Sequence, residues 1–279
     1  MPKHRDLGYG QFTFDKAEAF QTILRMQMVI ARAVIQKYSP KYTPLPYLYL
    51  DLTAGPGYSE PRRQIKGSPL IFLEQASRPL PVGRSEDKFM PPVPFEAHFF
   101  EKDAEFAAQL EHNIVPFRAA SHCHGLTVYH ADYTDPTVGV CSLWPAPQKY
   151  RYGLVYIDPS GDLPDFATLA CLAEKFPRVE ILIHIAATIV KRRSQAHNIP
   201  ERLADLIGKI PKPHWLIRKA RRGDKHQWTF LMGTGIDRLF RGLKREEFHP
   251  IDSPEGQRIL EQLNYTQQEL FDRRQRRLF

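Results

Sequence analysis

Short apolar runs alternate with longer amphipathic segments along most of the chain. Apolar residues recur near every third or fourth position in residues 15–38, a spacing typical of an amphipathic helix. Shorter runs, bounded by Gly, Pro or charge, are typical of buried strands. We predict strands at 47–51, 95–101, 126–130, 152–157, 179–185, 214–219 and 228–232. Further helices are predicted at 69–76 (with Ser68 as N-cap and Pro69 at the first helical position), 103–119, 164–175, 199–209 and 254–276.

This alternation of strands and helices favours a mainly parallel sheet. The last two predicted strands are joined by a short turn at 221–224, which indicates a hairpin and hence an antiparallel strand. The expected fold class is α/β, with a mainly parallel seven-stranded sheet, one antiparallel edge strand and flanking helices. We expect an N-terminal helical segment at 1–45, an α/β domain at 46–236 and a C-terminal helical extension with a basic tail at 237–279.

Composition excludes several classes of protein. With 279 residues, of which 42% are hydrophobic, the chain can bury a large core. No run reaches the roughly 18 apolar residues of a membrane span, and residues 1–12 lack the apolar stretch of a signal peptide. Three scattered cysteines, without a C-x-x-C pair, argue against a disulfide framework or zinc site and favour a cytoplasmic location. We therefore expect no bound metal.

Positive charge is concentrated in one part of the chain. The net charge is +8, and residues 191–225 alone contain eleven Lys/Arg against three Asp/Glu. This asymmetry favours an acidic partner, above all nucleic acid. The alternative is a solvated face, or charges that protect an edge strand. The candidate phosphate-binding residues are Lys191, Arg192, Arg193, Arg218, Lys219, Arg221 and Arg222.

A glycine-rich turn follows the first predicted strand. The strand ends on Asp51, and Gly55 and Gly57 then flank Pro56. Glycine lets the backbone approach a ligand closely, and ligands of open α/β sheets bind beyond the carboxyl ends of the strands. The turn is therefore a candidate ligand site, with an ordinary strand-to-loop turn as the alternative. The sequence after Gly57 does not complete the G-x-G-x-x-G pattern of dinucleotide-binding dehydrogenases.

Four acidic residues lie at or just after the ends of successive predicted strands. They are Asp51, Glu101, Asp132 and Asp158. The carboxyl ends of parallel strands meet at one edge of a sheet, where a carboxylate can accept hydrogen bonds from ribose hydroxyls. The pattern therefore predicts a ligand that contains a nucleoside.

The order of these motifs resembles the class I S-adenosylmethionine-dependent methyltransferases. D-L-T-A-G-P-G is followed by a strand-end Glu, then A-D, then I-D-P-S-G. Within that class, residues 50–57, 67–69 and 158–161 resemble the three-Cys-motif partner (TcmP) group, over roughly residues 15–235. The resemblance implies a Rossmann-like methyltransferase fold, S-adenosyl-L-methionine as cofactor and a companion protein.

The resemblance also implies roles for individual residues in cofactor binding. Glu101, followed by Lys102, would bind the ribose hydroxyls. Asp132 would accept a hydrogen bond from the adenine amino group, and Tyr133 would pack on the adenine ring. The loop around the methionine part of the cofactor would contain Asp51, Thr53, Ala54, Gly55, Pro56 and Gly57.

The catalytic residues implied by the resemblance are Asp158, Pro159 and Ser160. They match a D-P-P-Y-like tetrapeptide that holds an amino nitrogen for methyl transfer, so the expected activity is methylation of an amino group on a nucleic-acid base. Gly161 departs from the pattern, because an aromatic residue would stack on the base there. Tyr156, Tyr133 or Phe166 could supply a ring instead. The alternatives are a cofactor-binding module without transfer, or transfer of another group from a nucleoside-bearing cofactor.

Overall fold

A computed structural model describes residues 11–38, 45–58, 65–81, 89–196, 202–219, 221–222, 227–235, 243 and 247–264. The chain divides into two compact units, Met1–Tyr133 and Thr134–Phe279. The three segments expected from the sequence stay predictions. Among the described helices, none combines the length and apolar content needed to cross a membrane.

The first unit is an α/β layer built around three parallel strands. β1 (Tyr47–Asp51) pairs with β4 (Phe95–Glu101), and β4 pairs with β5 (Cys123–His130). The helices are α1 (Gln11–Tyr38), α2 (Ser68–Ser77) and α3 (Ala104–Arg118), and β2 (Leu80–Pro81) pairs with β3 (Phe89–Met90).

Aromatic packing holds α2 against the strands of the first unit. The Phe72 ring of α2 stacks on the Tyr49 ring of β1, with centroids 3.9 Å apart, and meets Phe95 of β4 edge-on. All three side chains are fully buried. The N-cap of α2 is Gly67 rather than the predicted Ser68, because the Gly67 carbonyl accepts the first helical hydrogen bond, from the Ile71 N–H. The Gly67 N–H donates to the Gly57 carbonyl.

The second unit contains a mixed set of strands. β6 (Gly153–Ile157) is parallel to β7 (Val179–Ala186), and β10 (Gln227–Thr234) is antiparallel to both β7 and β8 (His214–Arg218). β11 (Phe248–Pro250) pairs with β8, and the two-residue β9 (Arg221–Arg222) pairs with β10. The helices are α4 (Phe166–Lys175), α5 (Ala187–Ala196), α6 (Leu203–Gly208) and α7 (Pro254–Asn264).

The structure corrects the expected sheet in two respects. β10 lies between β7 and β8, so the antiparallel strand is internal rather than at an edge. Its side chains from Trp228 to Met232 are all buried, so both faces of this strand are covered. β11 is an eighth strand of three or more residues, missed because three residues carry almost no periodicity.

The remaining helix predictions have mixed outcomes. α1, α3 and α4 lie within a few residues of their predicted bounds, whereas α5 was not predicted. The predicted helix at 199–209 is described as α6 from residue 203, and residues 197–201 lie outside the described residues. Of the predicted helix at 254–276, only α7 lies among the described residues, and the basic tail does not.

The cysteines also differ from expectation. Cys141 and Cys171 form a disulfide, whereas the sequence argued against one. Folding brings the loop that carries Cys141 onto α4, where its sulfur also lies 3.8 Å from the Thr168 carbonyl. Spacing along the chain does not reveal such a contact. The cytoplasmic location therefore loses the support that the sparse cysteines gave it and stays a prediction.

Candidate functional site

The turn after β1 is anchored by the buried Asp51. This side chain is 0% exposed, and its two oxygens accept hydrogen bonds from the Tyr49 hydroxyl at 3.1 Å and the Thr53 N–H at 3.3 Å. The Ala54 N–H donates to the Phe100 carbonyl of β4. Asp51 thus fixes the shape of the turn from inside the protein, while Thr53 is half-buried and Ala54 buried.

Two glycines give the turn its path. Gly55 and Gly57 have φ values of +65° and +90°, in the region that favours glycine. A Cβ at Gly57 would meet Leu110 at 3.3 Å, whereas one at Gly55 would meet nothing within 4 Å. The Pro56 carbonyl accepts a hydrogen bond from Asn113 of α3 at 2.8 Å. The turn is therefore packed on one side and open at Gly55.

Glu101, at the end of β4, is bonded directly to this turn. Its Oε2 accepts from the Gly55 N–H at 2.8 Å, and its Oε1 accepts from the Asp103 N–H at 2.9 Å. The side chain is only half-buried. A carboxylate can accept about four hydrogen bonds, so two backbone donors hold it in place without using all of its acceptor capacity. This arrangement suits a ligand with hydroxyl groups.

The remaining predicted cofactor residues follow the ends of the neighbouring strands. Glu101 pairs with His130 in the parallel register, and the Ala131 N–H donates to the Glu101 carbonyl. Asp132 and Tyr133 come directly after this contact; Asp132 is exposed and Tyr133 half-buried. Lys102 is exposed. The backbone thus carries these residues to the same edge of the strands as Glu101.

In the second unit, Asp158 is paired with a histidine that sequence reasoning did not select. The Nδ1 atom of His184 lies 2.7 Å from Oδ1 of Asp158. The side chains are 7% and 20% exposed, respectively. His184 and Glu180 are the polar residues in the otherwise apolar β7, and both are buried. A polar residue inside a buried apolar run was the signal that could have found His184.

The segment after Asp158 has an open backbone without an aromatic ring of its own. Pro159 is half-buried, Ser160 is exposed, and Gly161 has φ +85° with nothing within 4 Å of an added Cβ. Two proposed substitutes for the missing ring, Tyr156 and Phe166, are only 2% and 6% exposed. Both belong to the core, so neither presents an open face to a base. Tyr133 belongs to the first unit.

The candidate phosphate-binding residues are only partly described. Arg218, the last residue of β8, is 3% exposed, so this side chain is not a surface contact. Lys219 is exposed, with its Nζ 3.8 Å from a Glu247 carboxylate oxygen, and Lys191 is half-buried. The side chains of Arg192, Arg193, Arg221 and Arg222 lie outside the described residues.

Metal-ligating residues do not cluster in the described part of the chain: no group of three or more His, Cys, Asp or Glu there could hold an ion. His122 and Cys123 are neighbouring residues of types that can bind a metal, and each has a different environment. His122 Nε2 lies 2.9 Å from the Ser77 hydroxyl, and burial lowers the pKa of His122 and raises that of Cys123.

Comparison with known proteins gave distant structural likenesses. No family model matches the sequence, and no curated protein matches it. The chain is similar to protein LPL1258 from Legionella pneumophila, with 14% identity, 83% of this chain and 92% of that one covered, and a TM-score of 0.45. It is also similar to M. jannaschii TYW2 in complex with AdoMet, with 12% identity, 82% of this chain and 77% of that one covered, and a TM-score of 0.42.

A third likeness is to a precorrin-6y C5,15-methyltransferase from Geobacter metallireducens, with 11% identity, 73% of this chain and 87% of that one covered, and a TM-score of 0.37. The resemblance to the three-Cys-motif partner group stays a prediction.

Proposed function

We propose that this protein transfers a methyl group from S-adenosyl-L-methionine to an amino group, most favourably on a nucleic-acid base. The observation that carries the proposal is the Glu101 carboxylate, which two backbone N–H groups hold beside the open glycine turn. The cofactor would supply an electrophilic methyl group. The protein's own task is then to hold the cofactor and to position the acceptor.

The residues of the first unit fit such a cofactor. Glu101 has acceptor capacity for ribose hydroxyls, and a Cβ added at Gly55 would meet nothing within 4 Å. Asp132 is exposed and could accept a hydrogen bond from an adenine amino group, and Tyr133 is half-buried. Thr53, Ala54, Pro56 and Gly57 would provide backbone around the methionine part.

Asp158 would orient the acceptor. Its carboxylate is partly exposed at the end of β6 and can accept an N–H of an amine. The Pro159 carbonyl would accept the second amine hydrogen, so that the nitrogen lone pair points in one direction. Such positioning can lower a barrier by several kcal/mol.

The nucleic-acid substrate is supported by charge rather than by contacts. Residues 191–225 carry eleven basic and three acidic residues. Lys191 and Lys219 remain candidates for phosphate, together with the four arginines of this segment outside the described side chains. Arg218 is withdrawn from the set because it is buried. A companion protein and a cytoplasmic location belong to this proposal as expectations.

The proposal can be tested by binding and transfer together. We expect calorimetric binding of S-adenosylhomocysteine, and incorporation of tritiated methyl groups from S-adenosylmethionine into total cellular RNA or denatured genomic DNA. The Asp158→Ala variant should bind with unchanged affinity but lose transfer by about 100-fold or more. Asp252→Ala, which alters an exposed aspartate of the same unit, is the matched control.

A second candidate is a cofactor-binding module without transfer of its own. The burial of Tyr156 and Phe166, together with Gly161, favours it, since a planar base then lacks those stacking partners. Binding of S-adenosylhomocysteine without methyl incorporation into either nucleic acid would support this candidate. Absence of binding would contradict both.

A further inference from the structure

The backbone places His184 beside Asp158 across two parallel strands. Ile157 of β6 and Ile183 of β7 are paired in the register, so the next residues along each strand, Asp158 and His184, are neighbours. The distance of 2.7 Å between Nδ1 and Oδ1 is that of a short, charge-assisted hydrogen bond. A carboxylate accepts only, so the imidazole donates.

Packing leaves the imidazole little freedom to turn. His184 faces Phe230 in the antiparallel register with β10, and its ring centroid lies 5.6 Å from the Phe230 ring. The Trp228 ring, also on β10, has its centroid 5.5 Å from that of the His184 ring. Both aromatic side chains are fully buried. The ring is therefore held in one orientation, with its Nδ1 aimed at Asp158.

We infer that His184 is a positioning residue for the acceptor carboxylate, and that it sets Asp158 to receive a donor-bearing group such as a primary amine. This inference rests on the proposed function. His184 donates to one oxygen of the Asp158 carboxylate and thereby fixes the orientation of the carboxylate group. A group received by Asp158 must then itself carry a hydrogen, which selects an amine over a carboxylate or an ether oxygen.

Three variants separate positioning from packing. His184→Leu keeps an apolar body but removes the donor. His184→Asn restores an N–H near the position of Nδ1, whereas His184→Gln places it one carbon farther away. The control is His122→Leu, which removes a partly buried histidine of the first unit outside both candidate sites. Each variant is checked by thermal unfolding and by calorimetric binding of S-adenosylhomocysteine.

Transfer is measured with tritiated S-adenosylmethionine on total cellular RNA and denatured genomic DNA. We expect His184→Leu and His184→Gln to lower kcat by about 100-fold with little change in KM for S-adenosylmethionine, because a misplaced group costs about that factor. His184→Asn should recover activity to within about 10-fold of the wild type. If His184→Leu does not fold, the contrast between Asn and Gln still tests the inference.

A measurement that does not depend on methyl transfer is NMR of the protein labelled with ¹⁵N-histidine. The Nδ1 proton of His184 should resonate at low field and shift in Asp158→Asn. Full activity of His184→Leu or of His184→Gln, or an unshifted resonance, would overturn the positioning role and leave the proposed function intact. A wild type that binds S-adenosylhomocysteine yet transfers nothing to either nucleic acid would overturn both.

Discussion

Two carboxylates at strand ends are fixed in different ways in this protein. Glu101 is held by the backbone N–H groups of Gly55 and Asp103, whereas Asp158 is held by the side chain of His184. Backbone N–H donors are present in every residue type except proline, but their direction depends on the path of the chain. A side-chain donor depends on residue type and on the packing around it. The first region should therefore be sensitive to backbone strain, and the second to side-chain chemistry and support.

The largest expected effect is on cofactor affinity when Glu101 is removed. Hydrogen bonds to charged groups contribute about 1.5–3 kcal/mol each, so Glu101→Ala should weaken binding of S-adenosylhomocysteine by about 100-fold or more. Calorimetric titration measures it. The control is Glu111→Ala, since Glu111 is an exposed glutamate of α3 paired with Arg118. Equal affinity of Glu101→Ala and wild type would remove Glu101 from the cofactor site.

The next effect concerns the support of β7, the strand that carries His184. Lys212 is buried and donates to the carbonyls of Phe176, Pro177 and Val179, at 2.9, 3.1 and 2.6 Å. Lys212→Met leaves these carbonyls without that donor and should lower the free energy of unfolding by roughly 2 kcal/mol.

Urea denaturation measures this change, with the exposed Lys149→Met as the control. The folded Lys212→Met protein should bind S-adenosylhomocysteine like the wild type. A loss of S-adenosylhomocysteine affinity in folded Lys212→Met would contradict the expectation that the support of β7 does not affect cofactor binding at Glu101.

A smaller effect is expected from strain at the glycine turn. Gly55 has φ +65°, so Gly55→Ala should cost about 1 kcal/mol even though its Cβ meets nothing within 4 Å. The shifted N–H should also weaken S-adenosylhomocysteine binding by roughly 5- to 10-fold through Glu101. Gly208→Ala, at an equally open glycine without positive φ, serves as control. Unchanged affinity in Gly55→Ala would show that the path of the turn does not matter for Glu101.

The smallest effect is a pH dependence in the second unit. Burial raises the pKa of Tyr152 to about 12, against the lowering effect of Arg151. An unfolded tyrosine ionises near its ordinary pKa of 10.0, so the contribution of Tyr152 to stability is complete below that pH and is lost as pH rises toward about 12. Because Tyr152 is partly exposed, the loss should be no more than roughly 1 kcal/mol.

Urea denaturation at several alkaline pH values should show this loss in the wild type and less of it in Tyr152→Phe. Tyr150→Phe, which alters a 74% exposed tyrosine, is the control and should behave like the wild type. Identical pH profiles for Tyr152→Phe and wild type would show that Tyr152 ionises alike in both states.

Local sequence was sufficient to find most elements and the carboxylates at their ends. β1, β4 and β6 lie at or within one residue of the predicted bounds, because short apolar runs bounded by Gly, Pro or charge are a local signal. The predicted roles of Asp51, Glu101, Asp132 and Asp158 remain to be tested. The glycine turn was also visible in the sequence, since its residue types reflect its backbone angles.

Only the tertiary structure decided which groups meet. The internal place of β10, the burial of Arg218, the Cys141–Cys171 bond and the His184–Asp158 pair all join segments far apart in the chain. Residue type and spacing report on neighbours within a few positions, whereas these contacts depend on strand order and register. The sequence by itself therefore determined the candidate carboxylates, and the fold decided what holds each of them: backbone for Glu101, and a buried imidazole for Asp158.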